Sequence, residues 1–190
     1  TMTRLPLEGF RVVDFTHQLV GPHCTQWMAI MGAEVIKIEP SGHPDGVRWT
    51  HLRTDEKPSL NKNPFFEVAN YNKKTFALDV ATPQGLDLCK KLISMSDMVV
   101  ENFSPGVMER LNLGYDALQK VNPKLIMVSI SGFGHTGPYA AFAAFGTTIH
   151  AFSGLSASTG YLGGPPESNF AWYTDLLVGQ LATMAVLGAL

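Results

Sequence analysis

Asp175 is the residue whose type and setting most invite chemistry. It follows Tyr173-Thr174 and heads residues 175–190, a run in which Asp175, Gln180 and Thr183 are the only polar breaks. A carboxylate there loses water unless it is paired, so Asp175 reads either as a poised nucleophile or acid, or as a cap on an apolar helix. Both readings stand on sequence chemistry. His17, His135 and His150 are widely separated, with no HExxH arrangement and no metal spacing to Cys24 or Cys89, so metal hydrolysis has no support. There is no GxSxG, and neither cysteine carries a nucleophile signature. The turn Ser131-Gly132-Phe133-Gly134-His135-Thr136-Gly137-Pro138 lacks a Walker lysine, and GxGxxG is not matched at the first βα turn, where Gly21 stands almost alone. Its glycines permit backbone turns or, on a bolder reading, form a nest for an anion. The run Gly160 to Pro166 reads as a surface loop. Arg48, Arg53, Lys73, Lys74 and Arg110 are scattered cations, solvated by default, of which one or two could meet an adenosine phosphate.

The elements that must position these groups alternate. Residues 10–15 read as a buried strand, Gly21-Pro22 as a break, 24–31 as a helix closed by Gly32, and 34–39 as a second strand. That is a βαβ unit with parallel strands. Residues 40–63 are polar, rich in Gly, Pro, His and Arg, and without periodicity, hence a long functional or mobile loop. Order resumes over 65–71, and 75–80 is strand-like through Phe76, Leu78 and Val80. Thr82 caps a helix over 83–95 with Pro83 at its first position. Contiguous Met98-Val99-Val100 predicts a strand covered on both faces. A turn at 102–106, short helices near 107–111 and 115–121, and a strand over 125–130 complete an α/β pattern with a mostly parallel sheet. Ligands in such sheets bind beyond the carboxyl ends of strands, which selects 16–18, 39–48, 102–106 and 131–137 as one rim.

Composition narrows the classes. Among 190 residues, 45% are apolar, and fourteen Lys plus Arg against sixteen Asp plus Glu give a formal charge of −2, scattered rather than blocked. Such a chain is globular and argues against a nucleic-acid partner. The two cysteines read as reduced, buried residues of a cytosolic protein, and no signal-like apolar core occurs near the N-terminus. The sixteen-residue apolar run is short of a membrane span, and a helix so apolar all round belongs in the middle of something. It stops without Gly, Pro or a basic last turn, so the chain reads as part of a longer protein.

Several of these segments, taken together, resemble a known family. They are Leu7-Glu8-Gly9-Phe10-Arg11-Val12-Val13-Asp14-Phe15-Thr16, Gly21-Pro22, Gly32-Ala33-Glu34-Val35-Ile36-Lys37-Ile38-Glu39, Val100-Glu101-Asn102-Phe103, Pro105-Gly106, and Asn122-Pro123-Lys124-Leu125-Ile126 through Ser131-Gly132-Phe133-Gly134. In this order, and over nearly the whole chain, they resemble the family III CoA-transferases, whose relatives include alpha-methylacyl-CoA racemase. The resemblance implies a large Rossmann-like domain of which residues 1–190 are the N-terminal part, in a homodimer whose full-length chains interlock. On that resemblance, a C-terminal half is expected beyond these residues.

It further implies transfer of coenzyme A between an acyl-CoA and a small carboxylic acid, without a metal. The family's nucleophilic aspartate falls on Asp175. His17 with Gln18, Asn102 with Phe103, and Gly132 with Phe133 fall where the family binds CoA. Two departures put oxalate-formate specificity in doubt: the active-site Gln of formyl-CoA transferases falls on Leu19, with Gln18 beside it, and their basic pair after the second strand is Pro40-Ser41. The racemase pattern carries a histidine where this chain has Phe145, with His150 nearby, so racemisation is the runner-up and a non-catalytic CoA-binding domain the third reading. The implied location is cytoplasmic, with mitochondria or peroxisomes open to a eukaryotic source, and no membrane partner is expected.

Overall fold

The computed structural model describes residues 4–49, 60–167 and 172–190. Five strands, β1 (Arg11–Asp14), β2 (Glu34–Glu39), β3 (Lys74–Ala77), β4 (Met98–Glu101) and β5 (Ile126–Ser129), form one parallel sheet in the order β3-β2-β1-β4-β5. The order reverses between β1 and β4, which makes a crevice at their carboxyl ends. Among the described residues, seven helices connect or follow the strands: α1 (Val20–Ile30), α2 (Pro64–Asn70), α3 (Pro83–Ser94), α4 (Val107–Arg110), α5 (Tyr115–Val121), α6 (Gly146–Phe152) and α7 (Tyr173–Ala189).

The period-2 alternation of strand side chains divides the core between the two faces of the sheet. Val12, Val35, Met98 and Val100 pack with Cys24 and Met28 of α1 and Val186 of α7. Val13, Ile38 and Val99 pack on the other face with Cys89 and Ile93 of α3 and Leu118 of α5. All four residues of β4 are buried, as a strand covered on both sides requires. Thr82 caps α3 by accepting the Gly85 N–H at 3.1 Å, with Pro83 at the first helical position. Cys24 and Cys89 are free and buried, and burial pushes their thiols up to about 11 and about 12. Neither is a thiolate at neutral pH.

Three expectations need correction. α1 starts at Val20, so Gly21 and Pro22 lie in its first turn, where a missing N–H leaves no helical bond unmade. β3 ends at Ala77 and is an exposed edge strand, although the Leu78 N–H still reaches the Glu39 carbonyl at 3.0 Å. The segment after Pro40 is not structureless throughout. A 3-10 turn occupies Gly46–Trp49, and Asn63 caps α2 by accepting the N–H groups of Phe65 and Phe66. Arg53 lies outside the described residues.

α7 is held in place by α1. Gly179, Thr183 and Val186 form its buried stripe. A Cβ at Gly179 would sit 2.8 Å from the Val20 carbonyl oxygen and 3.2 Å from the Cys24 nitrogen, so the two backbones approach as closely as glycine allows. The Thr183 hydroxyl lies 2.9 Å from the Gly179 carbonyl and 3.2 Å from that of Cys24. The other face of α7, with Leu181, Met184 and Leu187, is exposed in this chain rather than enclosed. Gly179→Val in the full-length protein should therefore cost about 1–3 kcal/mol by forcing the helices apart. Gly188→Ala, where a Cβ meets nothing within 4 Å, should cost nothing. Urea unfolding of the two variants checks the contrast, and equal stability of both would show that the α1–α7 approach tolerates a side chain.

Candidate active site

The loops that leave the strands at the crevice are locked by side chains. Asn102, just after β4, accepts the His17 N–H through Oδ1 at 2.7 Å and donates Nδ2 to the His17 carbonyl at 2.9 Å. This reciprocal pair ties the loop after β1 to the loop after β4. Phe103 is held in turn by its N–H to Glu101 Oε2 at 2.8 Å, and its ring lies 5.6 Å from that of His17. Burial raises the Glu101 carboxyl above its ordinary value, against the opposing bonds from Ser129 and the Phe103 N–H. Burial pulls the His17 imidazole below its ordinary value, with Asp45 opposing.

Beneath these loops runs a chain of buried ions that the sequence reading does not contain. Lys37, fully enclosed within β2, donates to the Thr16 carbonyl and pairs with Asp45 at 3.1 Å. Asp45 Oδ1 accepts the Gln18 N–H at 2.9 Å, which holds Gln18 at φ 64, a left-handed conformation that costs a non-glycine residue on the order of 1 kcal/mol. The Asp45 N–H goes to Glu39 Oε1, and Glu39 takes Arg48 in two bonds of 3.0 and 2.7 Å. Arg48 also reaches the Leu60 carbonyl and stacks over Phe66, its guanidinium carbon 3.4 Å from the ring centre. Asp14 accepts from Thr16, Thr25 and Lys73.

Burial works against the Asp14 carboxylate, but Lys73, Lys37 and the two threonines outweigh it and hold the group below its ordinary value. Burial likewise opposes ionised Glu39, and its bonds to Arg48 and the Asp45 N–H prevail. Both groups therefore add stability that is present above the ordinary carboxylate range and lost as pH falls through their lowered values. Burial pushes Lys73 down to about 8 despite Asp14, so it remains charged at neutral pH. Arg48 and Lys73, two of the cations considered for a phosphate, are thus committed to the interior. A charged residue inside a strand covered on both faces was the available signal, because such a group must find a counter-charge.

A cavity of about 180 Å³ opens beside these loops, lined by Asn102, Phe103, Ser104, Ser131, Gly132, Phe142, Phe145, Ile149, Thr174, Asp175 and Val178, among others. Residues from the ends of β4 and β5, from α6 and from the first turn of α7 meet there. Gly132 is needed because a Cβ would fall 2.1 Å from that of Ala144. Asp175 stands on the third residue of α7, half-buried at the positive end of the helix dipole. Burial raises its carboxyl above the ordinary value, while its own backbone N–H and His150 pull the other way. The helix begins after Trp172 with no side-chain cap, and the Thr174 hydroxyl donates to the Gly146 carbonyl at 3.3 Å instead.

Of the residues expected at the site, Asp175, Asn102, Phe103 and Gly132 share the cavity wall. His17 stands behind Phe103, and Gln18 is exposed beside it. Phe133 does not itself line the cavity but packs with Phe152 at 5.0 Å and with Tyr139 and the wall residue Phe142 at 6.1 Å. Trp172 and Tyr173, which precede Asp175, lie edge-on to Phe65 and His150. Among the described residues, no three His, Cys, Asp or Glu groups are placed to hold a metal, and no helix is long and apolar enough to cross a membrane.

Comparison with known proteins bears on the family. The description CoA-transferase family III matches residues 7–190. A succinyl-CoA–D-citramalate CoA-transferase of Chloroflexus aurantiacus is 42% identical over 186 residues, covering 97% of this chain and 44% of that protein. A formyl-CoA:oxalate CoA-transferase of Streptomyces coelicolor is 36% identical over 189 residues, covering 100% of this chain and 45% of its own length. A solved CAIB/BAIF family protein from Brucella suis superposes with a TM-score of 0.89 at 32% identity, over 98% of this chain and 49% of that one. The chain thus spans just under half the length of these relatives.

The ion chain yields a measurable consequence. Asp45→Ala should lower the stability of the full-length protein by about 3–5 kcal/mol, because it strands the Lys37 ammonium in the interior. Adding Lys37→Met should recover part of that loss. Urea unfolding of both variants is the check, and a loss below about 1 kcal/mol for Asp45→Ala would mean the pair behaves like an exposed one.

Proposed function

The chain belongs to CoA-transferase family III, and on that premise we propose that the whole protein moves coenzyme A from an acyl-CoA to a carboxylic acid, with Asp175 as nucleophile. The observation that carries this reading is the placement of Asp175 on one cavity wall with Asn102, Phe103 and Gly132. In the proposed sequence the Asp175 carboxylate attacks the thioester carbonyl and expels CoA thiolate, leaving an aspartyl mixed anhydride. The thiolate attacks the aspartyl carbonyl and releases the donor acid, giving an aspartyl-CoA thioester. The acceptor carboxylate then displaces CoA to form a second anhydride, and the thiolate attacks the acceptor's carbonyl, releasing acceptor-CoA and the free carboxylate.

The surroundings suit these steps. Backbone N–H groups at the start of α7 favour the anion, and the apolar wall of Phe142, Phe145, Ile149 and Val178 limits the water that would hydrolyse an anhydride. Phe145 occupies the place where the racemase pattern carries histidine, and an aromatic hydrocarbon ring there cannot accept an alpha-proton, which favours transfer. Asn102 and Phe103 with His17 behind them, Gly132, and Gln18 and Phe133 at the margins would receive the CoA chain. The matching relatives differ in donor and acceptor acid, so the proposal stops at an acyl-CoA and a carboxylate. Residues 1–190 are, on this reading, the N-terminal part of a large CoA-binding domain, and the rest of the protein, or a second chain interlocked with it, covers the exposed face of α7.

Incubating the full-length protein with a panel of acyl-CoAs, with and without hydroxylamine, and mapping peptides by mass should place a CoA or hydroxamate mass on Asp175. Asp175→Asn should abolish it and reduce turnover by at least about a thousandfold. Because burial raises the Asp175 carboxyl, kcat/KM should climb with pH through a value above the ordinary carboxylate range as the nucleophile ionises. An unlabelled Asp175 together with deuterium uptake at the alpha-carbon of a branched acyl-CoA would replace transfer by racemisation. Solution mass measurement of the full-length protein should give a dimer, and a stable monomer would remove the interlocked arrangement.

A further inference from the structure

His150 lies on α6 at 5% exposure. Its backbone carbonyl is well used, accepting the Ser153 hydroxyl at 3.1 Å and the Ser156 N–H at 3.2 Å. Its Nε2, by contrast, is enclosed without a hydrogen-bond partner among the described residues, a condition that costs free energy unless the atom serves another purpose. The imidazole stands edge-on to Tyr173, ring centres 5.8 Å apart and planes at 69°. One turn earlier on α6, the Gly146 carbonyl accepts the Thr174 hydroxyl. α6 therefore grips the two residues that directly precede Asp175. His150 is also a group whose charge, when it carries one, favours the ionised Asp175 carboxylate, although it is not part of the cavity wall.

We propose that His150 is a positioning residue for Asp175: it holds the first turn of α7 through Tyr173, and its unpartnered nitrogen, when protonated, gives the carboxylate a counter-charge from behind the cavity wall. This rests on the reading of Asp175 as nucleophile. The physical need is plain from the site. A half-buried carboxylate with no cation among the described residues of its cavity wall is pressed toward its neutral, unreactive form, and a protonated imidazole offsets that pressure without occupying space that substrate requires. Once Asp175 is acylated its charge is gone, so the counter-charge favours return to the free carboxylate rather than hindering release. The titratable groups facing His150 from α7 are Tyr173 and Asp175, and α6 itself carries no other.

The test follows single-turnover adduct formation on Asp175 in the full-length protein across pH, for the parent, His150→Phe and His150→Gln. The Phe variant keeps a ring against Tyr173 and removes the charge, and the Gln variant, polar and similar in length, carries the same comparison if Phe prevents folding. Both should be slower than the parent at the acid end, by about tenfold for a one-unit rise in the Asp175 pKa, and the deficit should close once the pH is high enough to ionise Asp175 in every form. A deficit equal at every pH, or none, overturns the proposal, since a merely structural role has no reason to titrate. If the parent forms no Asp175 adduct with any acyl-CoA, the nucleophile reading fails first and this inference falls with it.

Discussion

An ammonium group inside a parallel sheet dictates much of this site. Lys37 lies in the middle of β2 with no exposed surface, and an unpaired charge there would cost several kcal/mol, a large share of a domain's stability. It is made tolerable by the Thr16 carbonyl after β1 and the Asp45 carboxylate after β2. Those two partners belong to the loops that leave the sheet at its switch point, so satisfying one buried cation also sets where the loops stand. Asp45 then passes the constraint to Gln18, Val47 and Glu39, and Glu39 passes it to Arg48 and, through Phe66, to α2. Such a network is a poor source of net stability compared with apolar packing, but it determines geometry, since every member has one arrangement in which its charge is met.

The opposite wall of the crevice is governed by shape. α7 can bring its first turn to the strand ends only because Gly179 lets it lie against the backbone of α1. α6 completes the arrangement from the side, through His150 on Tyr173 and the Gly146 carbonyl on Thr174. Asp175 is thus held by a helix packed at one end and gripped at the other, between a dipole that favours its anion and burial that opposes it. For the proposed acyl transfer that balance is apt, since a carboxylate too well solvated is a poor nucleophile and one too deeply buried is protonated.

Much of the architecture was legible in the residues. β2 was read at its true bounds from Glu34-Val35-Ile36-Lys37-Ile38-Glu39, and Thr82-Pro83 announced the start of α3, because hydrophobic period and capping chemistry are local properties. The rim also followed, since parallel βα alternation places strand-end loops together whatever their separation along the chain. Less legible were the edge strand β3, whose residues lack the buried face that enforces alternation, and the start of α1, where a proline in the first turn resembles a break. The role of Arg48 and Lys73 was misjudged for one physical reason: a cation's partner is chosen by three-dimensional proximity, and Asp14 lies 59 residues from Lys73.

The sequence by itself determined the α/β class, the parallel order implied by strand-helix alternation, the place of Asp175 at the head of an apolar helix and the family to which the chain belongs, because each is written in periodicity, composition or an ordered set of local motifs. Only the tertiary structure decided which expected residues share a wall. It joined Asn102, Phe103, Gly132 and Asp175 in one cavity, set His17 behind Phe103, and packed Phe133 against Phe152 rather than on the wall. It also brought His150, weighed in the sequence only as a metal ligand or a racemase base, against the turn that carries Asp175. Such outcomes depend on close approach between distant backbones and on the pairing of buried charges, and no local pattern of residues encodes either.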